Sequence, residues 1–264
     1  MSGAESLRRT QVIHGFWSVT GNQAVIDTAC SAEPDFIVVD TQHGLDLGQV
    51  DASLFTVMAG YGVAGLVRVE SIDLGRIGRA LDLGASGIVV PLVESSDDAA
   101  RAVHATRHAP RGGRSYGMQT RRIGPFDEEP YVVIQVETAR GLSDIGPIAA
   151  VEGVDALYIG PADLGLGLAG SPAPDVNDVW DGVHEHADTL AAAFSGVIEA
   201  AEANGIVPGL HCDNGASSAR AISEGFRMTS VAVDLGLIRT GLREQLEVAR
   251  GWSPDRAQTD RNSS

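Results

Sequence analysis

The sequence predicts an α/β fold, a (β/α)8 barrel, and three observations carry that expectation. Eight short apolar runs recur along the 264 residues, helix-like segments lie between them, and several runs are near-continuous Val, Ile and Leu. Such runs suit parallel strands buried on both faces. Alternating strand and helix implies parallel pairing through crossovers. Eight such units in about 250 residues suit closure into a barrel. An open doubly wound sheet shares the alternation, so alternation by itself leaves closure open.

The strands are expected at 12–19, 36–40, 65–69 and 87–91, then at 132–137, 155–160, 205–210 and 229–234. A helix is expected over 72–84, opened by Ser71 as a cap and closed by Gly84. Others are expected over 95–109, over 184–205 with Gly205 ending it, and over 238–251. Two long connections, 110–130 and 161–183, are placed at the C-terminal mouth, where barrel active sites are built. One domain is expected over 1–251, and the polar tail 252–264 is expected to be disordered.

Composition narrows the function. Nineteen basic against 35 acidic residues give a net charge of −16. That opposes a nucleic-acid partner, which needs a basic face, and opposes adsorption to an anionic membrane. It leaves room for an anionic small molecule held by a few arginines. No stretch reaches the ~18 apolar residues of a membrane span, and the N-terminus lacks a signal-peptide pattern. Cys30 and Cys212 form no CxxC pair, so the cytoplasm is the expected compartment. GxGxxG after the first strand and GxxxxGK[ST] are both absent.

Polar residues stand where the strands end. The second strand runs into Asp40-Thr41-Gln42-His43, and the third carries Arg68. The fifth carries Gln135 and Glu137, and the sixth runs into Gly160-Pro161-Ala162-Asp163. In a barrel these converge at one mouth. Glu137 and Asp163 form an oxygen-rich pair suited to Mg²⁺ or Mn²⁺. Equally, one of them caps a helix and the other pairs with an arginine. The turn at 160–164 offers free backbone N–H groups to a carboxylate, or Asp163 is simply an N-cap.

His43 has the proton affinity of a general base, with Asp40 three residues earlier to orient its ring. The plainer reading is a histidine bonded to a loop carbonyl. Arg68 suits a developing enolate oxygen, or an ion pair with Asp40, Glu70 or Asp82. His184 and His186 are two apart and do not chelate as an i, i+4 pair. His211-Cys212-Asp213 follows strand seven, where zinc would need further ligands. Five arginines, Arg107, Arg111, Arg114, Arg121 and Arg122, suit an anionic substrate tail or a subunit neighbour, and most simply a solvated loop.

In this order the segments F-I-V-V-D-T-Q-H-G (36–44), V-R-V (67–69), R-A-L-D-L-G-A (79–85) and G-I-V-V-P-L-V-E-S (87–95) form a recognisable series. A-T-R-H-A-P-R-G-G-R (105–114), Q-V-E-T (135–138) and V-E-G-V-D-A-L-Y-I-G-P-A-D-L (151–164) continue it. Together they resemble the HpcH/HpaI aldolase/citrate lyase family over about residues 12–240, specifically its metal-dependent class II pyruvate aldolases. The resemblance implies a (β/α)8 barrel with a swapped last helix in a hexamer, a trimer of dimers. It implies a divalent cation, Mg²⁺ or Mn²⁺ with Co²⁺ as a further candidate, on Glu137 and Asp163.

By the same resemblance Arg68 contacts the keto or enolate oxygen, and Ala162 and Asp163 bind the pyruvate carboxylate through their backbone, in the Gly160-Pro161 turn. His43 is the base, acting with a water on the metal, and Asp40 is its dyad partner. Gln135 lies close to the metal, Trp17 near the substrate, and Asp82 reaches a neighbouring subunit's site. The implied reaction cleaves or forms a 4-hydroxy-2-oxoacid, giving a 2-oxoacid such as pyruvate and an aldehyde. The chain contains no lysine, which excludes a lysine Schiff base.

Thr41-Gln42-His43 stands where the family pattern reads Gly-Glu-His, and Arg68-Val69 where it often reads Arg-Pro. The 115–130 loop differs, and His211 and Cys212 replace expected apolar residues. These last two changes fall where the aldehyde is expected. The rival readings are a CoA-thioester carbon–carbon lyase of the citrate lyase β or malyl-CoA lyase type, and a barrel without catalysis. Decarboxylation of oxaloacetate is a further enolate reaction open to the same site.

Overall fold

The computed structural model describes residues 2–45, 50–117, 129–173 and 175–251. The strands are β1 Ile13–Ser18, β2 Phe36–Asp40, β3 Ala64–Arg68 and β4 Gly87–Val90. They continue with β5 Tyr131–Val136, β6 Ala156–Ile159, β7 Val207–Leu210 and β8 Met228–Val233. Each pairs in parallel with the next, and β8 closes on β1. The barrel is therefore closed, which alternation alone did not decide.

Helices α1 Gly3–Arg9, α2 Gln23–Cys30, α3 Ala52–Tyr61, α4 Leu74–Asp82 and α5 Ser96–Thr106 come first. They are followed by α6 Ala139–Ser143, α7 Ile145–Ala149, α8 Pro161–Ala169 and α9 Val176–Trp180. The last are α10 Ala187–Ala203, α11 Gly215–Ser223 and α12 Asp234–Gly251.

Side chains alternate across each strand. One set points outward and packs under the helices, as Phe16, Ile37, Val67, Ile88 and Ile134 do. The other fills the barrel, with Ile13, Phe36, Leu66, Tyr131 and Tyr158 among its members. Ala4 and Leu7 of α1 belong to the inner cluster and close the N-terminal end. Arg8 ties that plug down, bonding Asp155 and the carbonyls of Glu129 and Pro130. The opposite end stays open and polar.

Local differences have local causes. Asp73, not Ser71, caps α4, its carboxylate accepting the Arg76 N–H at 2.8 Å. Residues 184 and 186 precede α10 and lie outside any helix, with His184 Nδ1 accepting the His186 N–H. Helix α12 begins four residues early because Asp234 starts it directly from β8. Its carboxylate accepts bonds from Ser18, Thr20 and the Val19 N–H. Gly205 ends its helix as expected, with φ +68°.

The described parts of the 110–130 connection, 110–117 and 129–130, are not at the mouth. The connection follows α5, which has already run back to the N-terminal end of the barrel. Its described parts pack outside the strands: Arg114 reaches Asp82 of α4, and Arg107 and Arg111 reach Glu129. Residues 118–128, with Arg121 and Arg122, lie outside the described residues, as does the tail from 252. The 161–183 connection does leave the mouth and carries α8 and α9. No helix among the described residues is long and apolar enough to cross a membrane.

Candidate active site

Alternation along the strands decides which side chains line the mouth. Inward positions run 13, 15, 17 on β1, and so end on Trp17. By the same count β2 ends on Asp40, β3 on Arg68, and β5 presents Gln135 and then Glu137. The β5–β6–β7 register pairs Val136 with Ile159 and Leu210. The next row is therefore Glu137, Gly160 and His211, side by side.

Asp40 is 1% exposed and accepts five hydrogen bonds. Arg68 gives two, Nε at 3.0 Å and Nη2 at 2.5 Å. The others come from the Gln42 and His43 backbone N–H groups and the Trp17 indole. Burial by itself would raise the Asp40 pKa. The Arg68 hydrogen bond and charge, with the His43 N–H and the Trp17 indole, outweigh it and hold the carboxyl below its usual value.

The Arg68 guanidinium lies 5.1 Å from the Trp17 ring centroid. Thr41 donates to the Arg68 carbonyl through its hydroxyl at 2.7 Å. The expected Asp40–His43 dyad takes a different form. Asp40 meets His43 through the backbone, and its carboxylate oxygens are committed to Arg68. The imidazole of His43 is exposed and makes no hydrogen bond among the described residues.

Glu137 is 2% exposed. Its Oε1 accepts the Leu92 N–H at 2.8 Å, and its Oε2 accepts the Gln135 amide at 2.5 Å. Leu92 donates from a left-handed backbone, φ +55°, a conformation that costs a branched side chain about 1 kcal/mol or more. Burial pushes Glu137 up to about 7; the Leu92 bond opposes this, and the nearby Asp163 adds to it. Glu137 pairs with no arginine among the described residues, so that plain reading of it fails.

Asp163 is not a cap. The N-cap of α8 is Gly160, which offers no side chain, and Pro161 occupies the first turn. Asp163 stands two positions further on, exposed. The Ala162 and Asp163 N–H groups precede the first helical bond, which Leu164 makes to Gly160, and so remain available to an anion. A Cβ on Gly160 would fall 2.6 Å from Gln135 Nε2 and 2.7 Å from Glu137 Oε2. Glycine is what lets both groups lean across β6.

The donor set fits a hard divalent cation. Asp163 lies near enough to Glu137 to act on its charge, and the buried Gln135 Oε1 has no hydrogen-bond partner among the described residues. No group of three His, Cys, Asp and Glu converges among the described residues. Such a site leaves most coordination positions to water and ligand oxygens, as Mg²⁺ prefers. Among the described residues no further ligand joins His211 and Cys212 into a metal cluster; Cys212 is buried, and burial raises its thiol to about 12.

The model of the HpcH/HpaI aldolase/citrate lyase family matches residues 14–240. The chain belongs to this family. It is 30% identical over 259 residues to a hydroxypyruvate/pyruvate aldolase of Paraburkholderia phytofirmans, covering 92% of this chain and 95% of that one. It is 38% identical over 182 residues to a 4-hydroxy-2-oxovalerate aldolase of Rhodococcus jostii, covering 64% and 70%. An HpcH/HpaI family protein of Burkholderia cenocepacia superimposes with a TM-score of 0.79 at 27% identity, over 94% of this chain and 98% of that one. The chain is thus a carbon–carbon lyase of the aldolase type.

Within this HpcH/HpaI barrel the mouth gathers Trp17, Asp40, His43, Arg68, Gln135, Glu137 and the 160–163 turn. Asp82 is not among them. It ends α4 on the outside of the barrel, bonded to Arg114 at 2.6 Å. Two participants escaped the sequence. Leu92 acts through its backbone N–H, which no side-chain pattern reveals. Tyr158, stacked 5.9 Å from Trp17, was signalled only by its alternation with Gly160 on β6.

Proposed function

We propose that this chain is a divalent-cation-dependent class II aldolase. It cleaves or forms the C3–C4 bond of a 4-hydroxy-2-oxoacid, with pyruvate or a pyruvate-like 2-oxoacid and an aldehyde as the partners. The observation that supports this best is the buried Glu137 near Asp163, with no ion pair among the described residues, close to the open N-terminus of α8. Glu137 and Asp163 would hold the cation, with Gln135 Oε1 beside it; Mg²⁺ and Mn²⁺ suit the set, and Co²⁺ is a further candidate. Bound there, the cation supplies Lewis-acid polarisation of the 2-oxo group.

The chain's own groups do the rest. The Ala162 and Asp163 N–H groups bind the substrate carboxylate. Asp40 fixes Arg68 by Nε and Nη2, so the Nη1 face remains for the C2 oxygen, where negative charge develops. In cleavage, His43 takes the proton of the C4 hydroxyl. The C4–O bond becomes the aldehyde carbonyl, and the C3–C4 electrons move to give the enolate. C3 is then protonated to yield the methyl group. Trp17 and Tyr158 form the apolar wall of this pocket. Enolate decarboxylation of oxaloacetate would use the same groups.

A homo-oligomer completes the proposal, a hexamer built as a trimer of dimers. Helix α12 presents Leu235, Ile238, Leu242 and Leu246 to solvent along one side, a face that a second copy would cover. Asp82 is proposed to serve a neighbouring subunit. One domain over 1–251 and a cytoplasmic location are part of the same reading.

The decisive test is pyruvate release from a panel of 4-hydroxy-2-oxoacids with Mg²⁺ or Mn²⁺, after EDTA, and in Glu137→Ala. Release lost on chelation and in the variant supports the reading. Release that survives both overturns the cation-dependent mechanism. Turnover of CoA thioesters in place of free oxoacids moves the chain to the rival lyase class.

A further inference from the structure

Asp234 is the only buried residue of α12, at 2% exposure. It is there because β8 carries one extra residue. The β1–β8 register pairs Gly15 with Ser230 but Phe16 with Ala232, so Val231 is a bulge. The slip continues to Trp17, which pairs with Val233. Asp234 therefore falls level with Ser18; without the bulge Val233 would stand there. Bulges beside active sites commonly re-aim a side chain in this way.

Five donors meet the Asp234 carboxylate. Its Oδ1 accepts the Val19 N–H at 3.2 Å and the Leu235 N–H at 2.8 Å. Its Oδ2 accepts the Ser18 hydroxyl at 3.0 Å, the Thr20 N–H at 3.0 Å and the Thr20 hydroxyl at 2.7 Å. Only the Leu235 bond serves the start of α12, so helix capping accounts for one of the five. The other four fix the 18–20 turn. That turn follows Trp17, whose indole donates to Asp40 and whose ring faces the Arg68 guanidinium. The Val19 carbonyl accepts the Leu45 N–H at 2.7 Å, two residues beyond His43. A Cβ on Gly44 would overlap the Asp40 carbonyl oxygen and fall 3.2 Å from that of Val19. The His43 loop thus rests directly on the turn.

We propose that Asp234 is a positioning residue for the aldol reaction: by gathering the 18–20 turn it sets Trp17 against the Asp40–Arg68 fork and seats the loop that carries His43. This rests on the aldolase reading above. None of its hydrogen-bond partners binds substrate or cation in that reading. The groups that do lie on β5, β6 and α8, and β5 stands opposite β1 in the closed barrel. Loss of the clamp is therefore read in kcat, with KM spared. Asparagine cannot replace the carboxylate. In either orientation its NH₂ faces a backbone N–H, that of Thr20 or those of Val19 and Leu235.

The test uses Asp234→Asn, and Thr20→Val, which removes one donor and keeps the charge. Kinetics with Mg²⁺ or Mn²⁺, on the 4-hydroxy-2-oxoacid that the wild type cleaves fastest, give kcat and KM. Fluorine NMR of protein carrying 5-fluorotryptophan reports the three tryptophans, with the Trp17 signal assigned by its loss in Trp17→Phe. We expect kcat to fall about tenfold in Asp234→Asn and about threefold in Thr20→Val, with KM within about twofold of wild type. The Trp17 signal should move in both variants while the other two stay. An unchanged kcat overturns the proposal, as does a fall in kcat with the Trp17 signal in place. A shift of all three signals marks general loosening and also overturns it, as does a raised KM with kcat kept. If Asp234→Asn does not fold, Thr20→Val decides the matter by the same readings. A wild type that releases no pyruvate from any oxoacid counts against the aldolase reading itself, whereas an active wild type with unaltered variants counts against Asp234 alone.

Discussion

Asp40 and Arg68 form a forked ion pair at the adjoining ends of β2 and β3, with Asp40 almost fully buried. The same carboxylate accepts the His43 N–H and the Trp17 indole. One side chain thus sets the position of three others. Asp40→Ala would leave the guanidinium buried without its counter-charge, and we expect a loss of about 3–5 kcal/mol. Chemical denaturation measures this. A loss below about 1 kcal/mol would show that water replaces the carboxylate and that the clamp is dispensable.

Glu137 gives the cation-free protein a distinctive pH dependence. Its folded pKa of about 7 lies above the ordinary 4.5, so the folded state binds the proton more tightly than the unfolded chain. Its contribution is fully present below about pH 4.5 and is lost as pH rises through 7. The loss is about 3 kcal/mol at most. In EDTA, Glu137→Gln should remove this fall and be more stable than wild type at pH 8. Denaturation at pH 5 and pH 8 tests the sign, and a wild type that gains stability over this range from this residue would refute it.

Gly160→Ala tests the crossing at β6. The added methyl meets Gln135 Nε2 and Glu137 Oε2, both confined by burial. We expect a stability cost of about 1–3 kcal/mol. Divalent-cation affinity, read by titration calorimetry, should fall with it. Unchanged affinity would mean that the two side chains have room to retreat.

Leu92 holds a left-handed backbone so that its N–H reaches Glu137. Its side chain is half exposed, so little packing is lost on truncation. Leu92→Gly is expected to stay within about 1 kcal/mol of wild type, while Leu92→Val should cost about 1 kcal/mol or more. Equal effects in thermal denaturation would show that the backbone there relaxes freely.

Leu242 sits mid-way along α12 with its side chain in solvent. Leu242→Asp should leave the barrel folded and shift the protein to smaller assemblies, measured by light scattering after gel filtration. A distribution identical to wild type would remove α12 from the interface.

Much of this site was legible because strand alternation is a local property. Once 36–40, 65–69 and 132–137 are read as strands, Asp40, Arg68 and Glu137 must leave their C-terminal ends. The same count reaches His211, although it gives no role to it. For the described parts of 110–130 the expected placement at the mouth failed for a local reason too. A connection that follows a helix returns to the opposite end of the barrel from one that follows a strand.

The sequence by itself determined the eight strands, the inward set of residues and the absence of any lysine for a Schiff base. Only the tertiary structure decided that Asp40 grips Arg68 rather than the His43 ring. It alone decided that a strained Leu92 N–H steadies Glu137, and that Gly160 makes room for the Gln135 and Glu137 side chains. The physical reason is the range of the interactions. Alternation follows from neighbouring covalent geometry, whereas pairings across strands depend on closure, register and backbone angles fixed by the whole barrel at once.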